Sequence, residues 1–309
     1  MRLLVVSSKN LGIVARGRRA WQDPQPGIAV SPLAVTVAGG WPRCSEEKSQ
    51  ERRQTCTLGG YIESQMVPVR PPSRSSMSSL YLFVLCPPYS GSTVLWRLIS
   101  TSNKVSTLPD EGQFLPELQG VMRHDAWNPD HQLPWEGIRE VWRSYWNLEQ
   151  PVLIEKSPPN LMQVDAIRKH FVPAAFVLMV RDPYAHCEGL MRRNGWTAEA
   201  SADFSIRRLR DQMENARRLP DAPRFTYEDL VRDPAAIVAK LEAAIPQLGE
   251  LDPSAEFTTH ANDTLEARPI TDFNEVKVQR LEAADRAVIK ARLAQDPEAM
   301  DFWGYHLEG

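Results

Sequence analysis

Leu80-Tyr81-Leu82-Phe83-Val84-Leu85-Cys86, then Pro87-Pro88-Tyr89-Ser90-Gly91-Ser92-Thr93, then Val94-Leu95-Trp96-Arg97-Leu98-Ile99-Ser100 is the stretch whose reading decides the fold. It predicts a strand, a tight loop and a helix. The unbroken apolar run of β-formers suits a strand buried on both faces, the Pro/Ser/Gly cluster stops it, and apolar residues at helical spacing resume after Thr93. Such a loop aims successive backbone N–H groups, with those of the first helical turn, at one point. That is an anion site, and phosphate is the expected ligand.

What the loop lacks narrows the phosphate. A nucleoside-triphosphatase loop reads G-x-x-x-x-G-K-S/T, its Lys reaching the outer phosphates. Here Gly91 is followed by Ser92-Thr93, so no cation stands where terminal-phosphate charge develops. Seen alone, so short a loop is equally an ordinary strand-to-helix turn. With its residues in view it resembles the 5′-phosphosulfate loop of sulfotransferases, P-K/R-S-G-S/T-S/T, matching at Pro88, Ser90, Gly91, Ser92 and Thr93 and departing at Tyr89. That family binds 3′-phosphoadenosine-5′-phosphosulfate (PAPS).

Further signals follow in order along the chain. Pro109-Asp110-Glu111-Gly112-Gln113-Phe114-Leu115-Pro116 reads as a solvated turn or helix cap, and it also resembles the E-E-T-R-x-I/V-P stretch of tyrosylprotein sulfotransferases. The resemblance makes Glu111 the general base. Val152-Leu153-Ile154 is a second buried strand ending in Glu155-Lys156-Ser157-Pro158. A charged pair at a strand's carboxyl end sits where α/β sheets place their chemistry. By resemblance, Lys156 contacts the leaving phosphosulfate. A third strand, Ala174–Val180, runs into Arg181-Asp182-Pro183, offering a planar guanidinium fork to a phosphate and a proline suited to a first helical turn. This is similar to the family's 3′-phosphate motif, R-D-P-x-x-x-x-x-S, whose Ser would fall at Gly189; Arg193, with Arg192 beside it, matches a second basic residue used on that phosphate. Tyr227, in Tyr227-Glu228-Asp229-Leu230, resembles the tyrosine that approaches the adenine side. The family's Gly-rich R-K-G segment is missing, with Lys277 as a substitute.

The remaining segments are less specific. Residues 117–150 look helical, and Trp127, Trp135, Trp142, Trp146 and Tyr145 there are either core or the wall of an acceptor pocket. A helix over about 199–218 carries many Arg, read as a solvated face paired to Glu199, Asp211 and Glu214. Thr258 to Asp272 reads as a loop covering the site, followed by a helix from about Leu281 to Leu293 and a Gly304-Tyr305 ending like that of bacterial family members.

Bulk properties bound the rest. The 309 residues, 42% of them hydrophobic, suffice for one large domain. Residues 1–79 hold 11 Lys and Arg against 5 Asp and Glu, a surplus of 6, while the remainder carries a deficit of 9, together the net charge of −3. The division is therefore a basic, disordered extension over 1–79, with Met77 as an alternative translation start, and a sulfotransferase-like domain over 80–309. No basic stripe interleaved with aromatics suggests nucleic acid, and no apolar run is long enough for a membrane span. Cys44, Cys56, Cys86 and Cys187 show no pairing pattern, which fits a reducing, cytoplasmic setting, and the six His show no metal-ligand spacing. The resemblance implies a three-layer α/β/α sandwich with a central parallel sheet. It also implies metal-free transfer of a sulfuryl group from PAPS to a hydroxyl or amine of a small-molecule, glycan or peptide acceptor. Tyr89 leaves open a PAPS-binding pseudoenzyme, and the loop an atypical P-loop kinase.

Overall fold

The computed structural model describes residues 78–261 and 264–307. The expectations about residues 1–77, including the Met77 start and Cys44 and Cys56, lie outside the described residues.

Five strands form one parallel sheet in the order β2-β3-β1-β4-β5: β1 (Leu80–Leu85), β2 (Val105–Thr107), β3 (Val152–Glu155), β4 (Ala174–Val180) and β5 (Arg224–Thr226). All six residues of β1 are buried, as its unbroken apolar run requires of the central strand of a doubly covered sheet. Its side chains alternate between two cores. Tyr81, Phe83 and Leu85 face a core shared with α3 (Trp135–Tyr145), α4 (Val164–His170), α5 (Pro183–Asn194) and α6 (Ala198–Arg218). Leu80, Leu82 and Val84 face another shared with α1 (Ser92–Ile99) and α8 (Pro234–Ala244). These are the three layers that the sequence implies. β3 and β4 flank β1, so their carboxyl ends and the loop after β1 share one edge of the sheet, the place where open α/β sheets bind ligands.

Three readings of the sequence are corrected. The 117–150 insertion is not one helical stretch: α2 (Gln119–Met122) and α3 are separated by turns. Its tryptophans divide as well. Trp135, Trp142 and Trp146 are buried and interlock with one another and with Tyr81, Phe83 and Phe171 at centroid separations of 5.5–6.2 Å, so they are core. Trp127 packs edge-on against Phe204, and Tyr145 donates from the surface to Glu117.

The loop expected over 258–272 contains an antiparallel hairpin, β6 (Phe257–Ala261) and β7 (Thr264–Arg268). The helix then expected from 281 is α10 (Ala283–Leu293), with α9 (Asn274–Gln279) before it and α11 (Pro297–Phe302) after it. The third correction concerns α6, whose arginines are not all solvated. Arg208 is buried between Trp127 and Phe204 and pairs with Asp211 at 2.8 Å, the intrahelical pair that spacing predicts. From the same helix, fully buried Gln212 donates to the Leu85 and Met179 carbonyls at 2.7 and 3.3 Å. It thereby ties α6 to the ends of β1 and β4.

Candidate active site

The loop leaving β1 is built on two left-handed residues. Gly91, the N-cap of α1, has φ of 89°, and a Cβ there would stand 2.5 Å from the Tyr227 ring. Both the conformation and the space demand glycine. Tyr89, at φ of 59°, is the second. Its phenol donates to Asn194 Oδ1 at 2.7 Å at the far end of α5, and burial holds it above its usual titration range despite the Arg193 and Arg192 charges. Beneath the loop lie Cys86, whose thiol is pushed far up by burial, and His186. The His186 Nδ1 is 3.0 Å from Ser205 Oγ, and burial, then the charges of Lys277 and Arg181, bring the ring down to about 3. It is therefore neutral at ordinary pH. The buried Ser90 hydroxyl has no hydrogen-bond partner.

Arg181 emerges from β4 and lies flat on Tyr227, its guanidinium carbon 3.9 Å from the ring centroid. Its Nε donates to Asn274 Oδ1 at 2.7 Å and its Nη1 to the Tyr89 carbonyl at 3.3 Å. Its Nη2 is buried without a partner. Tyr227 is held in turn by donating to the Thr271 carbonyl at 2.8 Å. In this arrangement its ring forms the floor under Gly91 and Arg181. Asp182 caps α5 by accepting from Ala185 N–H at 2.8 Å, with Pro183 in the first turn.

On the other side of β1, Lys156 is ion-paired with Glu111, whose second carboxylate oxygen accepts from Gln113 Nε2. What positions this pair is Glu155, a residue to which the sequence reading gave no role of its own. Its buried carboxylate accepts the N–H of Gly112 at 2.8 Å and of Ser157 at 3.1 Å, and also the Ser157 hydroxyl and the Asn160 amide. The residue after Glu111 and the residue after Lys156 are thus fastened to one group. Burial pushes Glu155 up to about 7, against the pull of these donors. The alternation of β3 is the available signal, since Glu155 must point inward if Lys156 reaches the loop.

The structure therefore brings the predicted residues together in two groups. Pro88 to Thr93, Arg181 and Tyr227 form one, and Glu111 with Lys156 the other; the Lys156 and Arg181 charges both act on the Cys86 thiol between them. Arg193 is exposed at the outer end of α5, its charge acting on Tyr89, whereas Arg192 pairs with Glu188 at 2.6 Å. Asn274, Lys277 and His186 also bear on the site, and of these the sequence reading named Lys277 alone, as a substitute for the family's missing R-K-G segment. Among the described residues no group of three or more His, Cys, Asp and Glu is placed to hold a metal, and no helix is long and apolar enough to cross a membrane.

Among solved structures, the sulfotransferase domain of the olefin synthase from Synechococcus PCC 7002 is 20% identical, with 71% of this chain and 95% of that one covered at a TM-score of 0.42. A sulfotransferase from Alicyclobacillus acidocaldarius is 16% identical over 73% and 96%, TM-score 0.45. The sulfotransferase domain from the curacin biosynthetic pathway is 18% identical over 74% and 99%, TM-score 0.46. No curated protein matches the sequence. The model of the sulfotransferase family matches residues 82–246, more than half of the chain. This protein belongs to the sulfotransferase family.

Proposed function

We propose that this chain transfers a sulfuryl group from 3′-phosphoadenosine-5′-phosphosulfate to the hydroxyl or amine of a small-molecule, glycan or peptide acceptor. The observation that carries the reading is the Lys156–Glu111 pair at the end of β3, set across the loop from the buried, unpartnered Nη2 of Arg181. A carboxylate to take a proton, a cation to meet the leaving phosphate and a guanidinium edge for a second phosphate are what this donor needs. The donor supplies the sulfuryl group and departs as adenosine 3′,5′-bisphosphate. In this reading Glu111 accepts the acceptor's proton on its carboxylate. Lys156 and the amides and hydroxyls of Ser90 to Thr93 oppose the negative charge that grows on the 5′-phosphate. Arg181 and Arg193 hold the 3′-phosphate, with Tyr227 supporting both the loop and Arg181.

One observation favours a second reading. Where the family pattern has Lys or Arg, the Tyr89 phenol is committed to Asn194, so a chain that binds the donor without turning it over fits the same geometry. Calorimetric titration of the full chain with adenosine 3′,5′-bisphosphate, beside ATP with magnesium, tests the donor class. A PAPS turnover assay against phenols, alcohols, amines and sulfatable peptides then separates the two readings. Binding of the bisphosphate alone, with release of bisphosphate in the turnover assay, is the expected result. Binding of ATP alone would move the chain to the kinases, and bisphosphate binding with no turnover would favour the second reading.

A further inference from the structure

Gln113 is completely buried, and its side-chain amide is only half satisfied. Nε2 donates to Glu111 Oε2, while Oε1 has no hydrogen-bond partner among the described residues. Turning the amide over would set Oε1 against the Glu111 carboxylate, so the contact with Glu111 decides which way it points. An apolar side chain would fill the same space without burying an orphaned oxygen. Packing therefore does not account for a glutamine here, and the bond to Glu111 does. The backbone of Gln113 is fastened as well. Its N–H donates to Ser157 Oγ at 3.1 Å, and the Ser157 hydroxyl donates to Glu155, which also accepts the Gly112 N–H at 2.8 Å. Gln113 is thus tied to the end of β3 independently of the charged pair. Lys156, the other partner of Glu111, ends in an ammonium on a flexible four-carbon stem, and the donor's 5′-phosphate is a second anion that competes for it. Lys156 is on Glu111 Oε1 and Gln113 on Oε2, so the two oxygens are held by one mobile donor and one fixed one.

We propose that Gln113 is a positioning residue: its amide keeps the Glu111 carboxylate in place through Oε2 while the Lys156 ammonium turns to the leaving phosphate, which frees Oε1 to take the acceptor's proton. This rests on the transfer reading above and deepens it. The acceptor's oxygen or nitrogen bonds to sulfur as its proton passes to Glu111 Oε1. The bond from sulfur to the 5′-phosphate oxygen breaks, and its electron pair leaves on the phosphate, opposite Lys156. Gln113 touches none of the reacting atoms and acts through Glu111 alone. Without it, the carboxylate follows the ammonium or loses its orientation at the moment the proton has to move.

The test is a double-mutant cycle on the full chain: the unmodified protein, Gln113→Met, Glu111→Ala and the two together. Release of adenosine 3′,5′-bisphosphate from PAPS is followed with the best acceptor among the phenols, alcohols, amines and peptides named above, under single-turnover conditions so that slow variants are still measured. Expected is a rate about tenfold lower or more in Gln113→Met, with the calorimetric affinity for the bisphosphate unchanged. In the Glu111→Ala background the same substitution should leave the residual rate as it was, because the group through which Gln113 acts is gone. An unchanged rate in Gln113→Met overturns the assignment while the transfer reading stands. A fall of equal size in both backgrounds also overturns it, as does a loss of bisphosphate affinity that matches the loss of rate. If the unmodified chain releases no bisphosphate with any acceptor, the transfer reading fails and the assignment fails with it. Circular dichroism identifies a variant that has not folded, and Gln113→Leu then takes the place of Gln113→Met in the same cycle.

Discussion

Glu155 fixes the residue after Glu111 and the residue after Lys156, and so helps to hold that ion pair in place. If Lys156 meets the leaving phosphate, Lys156→Ala should lose ~2–4 kcal/mol of transition-state stabilisation, the usual effect of removing one such donor, read as a fall in kcat/KM. Near-normal turnover would reject the role. Gly91 offers a test that needs no substrate. In Gly91→Ala the new Cβ would strike the Tyr227 ring at a φ that L-residues rarely adopt, so the urea unfolding free energy should drop by about 1–3 kcal/mol. The sequence made Gly91 visible as part of a motif, but the reason for it, an aromatic ring from 136 residues further along the chain, appears only when β5 is placed beside β4.

At the scale of elements, α9 is what the sequence concealed. The hairpin before it has too few apolar residues for a clear strand pattern, and α9 itself is only six residues long, below the length at which periodicity can be read. Yet α9 supplies Asn274, which accepts from Arg181 Nε at 2.7 Å and donates to Glu228, which in turn accepts from the Tyr305 hydroxyl at 2.8 Å. Arg181 is thus steered by a chain of contacts reaching the C-terminal segment. Asn274→Ala should weaken adenosine 3′,5′-bisphosphate binding roughly tenfold, about 1.4 kcal/mol, while 5′-monophosphate binding moves less. Calorimetry on the variant checks this, and an unchanged bisphosphate affinity would show that stacking on Tyr227 orients Arg181 without help.

At the scale of the molecule, the buried neutral His186 makes a statement about pH. Its folded value of about 3 lies below the ordinary 6.5, so the unfolded chain takes up a proton that the folded one refuses. This contribution to stability is present above pH 6.5 and is lost as pH falls toward 3. Glu155 acts in the opposite sense: its folded value of about 7 lies above the ordinary 4.5, so its contribution falls as pH rises from 4.5 to 7. Urea midpoints measured from pH 4 to pH 8 should therefore show less acid destabilisation in His186→Gln than in the unmodified chain. In Glu155→Gln the loss on the neutral side should shrink. Parallel pH profiles for all three proteins would contradict both assignments.

The sequence by itself determined strands at β1, β3 and β4, because each is an apolar run followed by a loop and a helical segment, and the resemblance carried by the motifs after those runs implied the parallel three-layer architecture. The same resemblance offered Glu111, Lys156 and Arg181 as candidates, since each lies in a recognisable local pattern at or near the end of such a run. Only the tertiary structure decided which carboxylate stays buried, which tryptophans are core and where Lys277 goes. Those outcomes depend on contacts between residues tens of positions apart, such as Gly112 with Glu155 and Glu188 with Lys277. No spacing along one chain encodes them until the sheet order has brought the strand ends together.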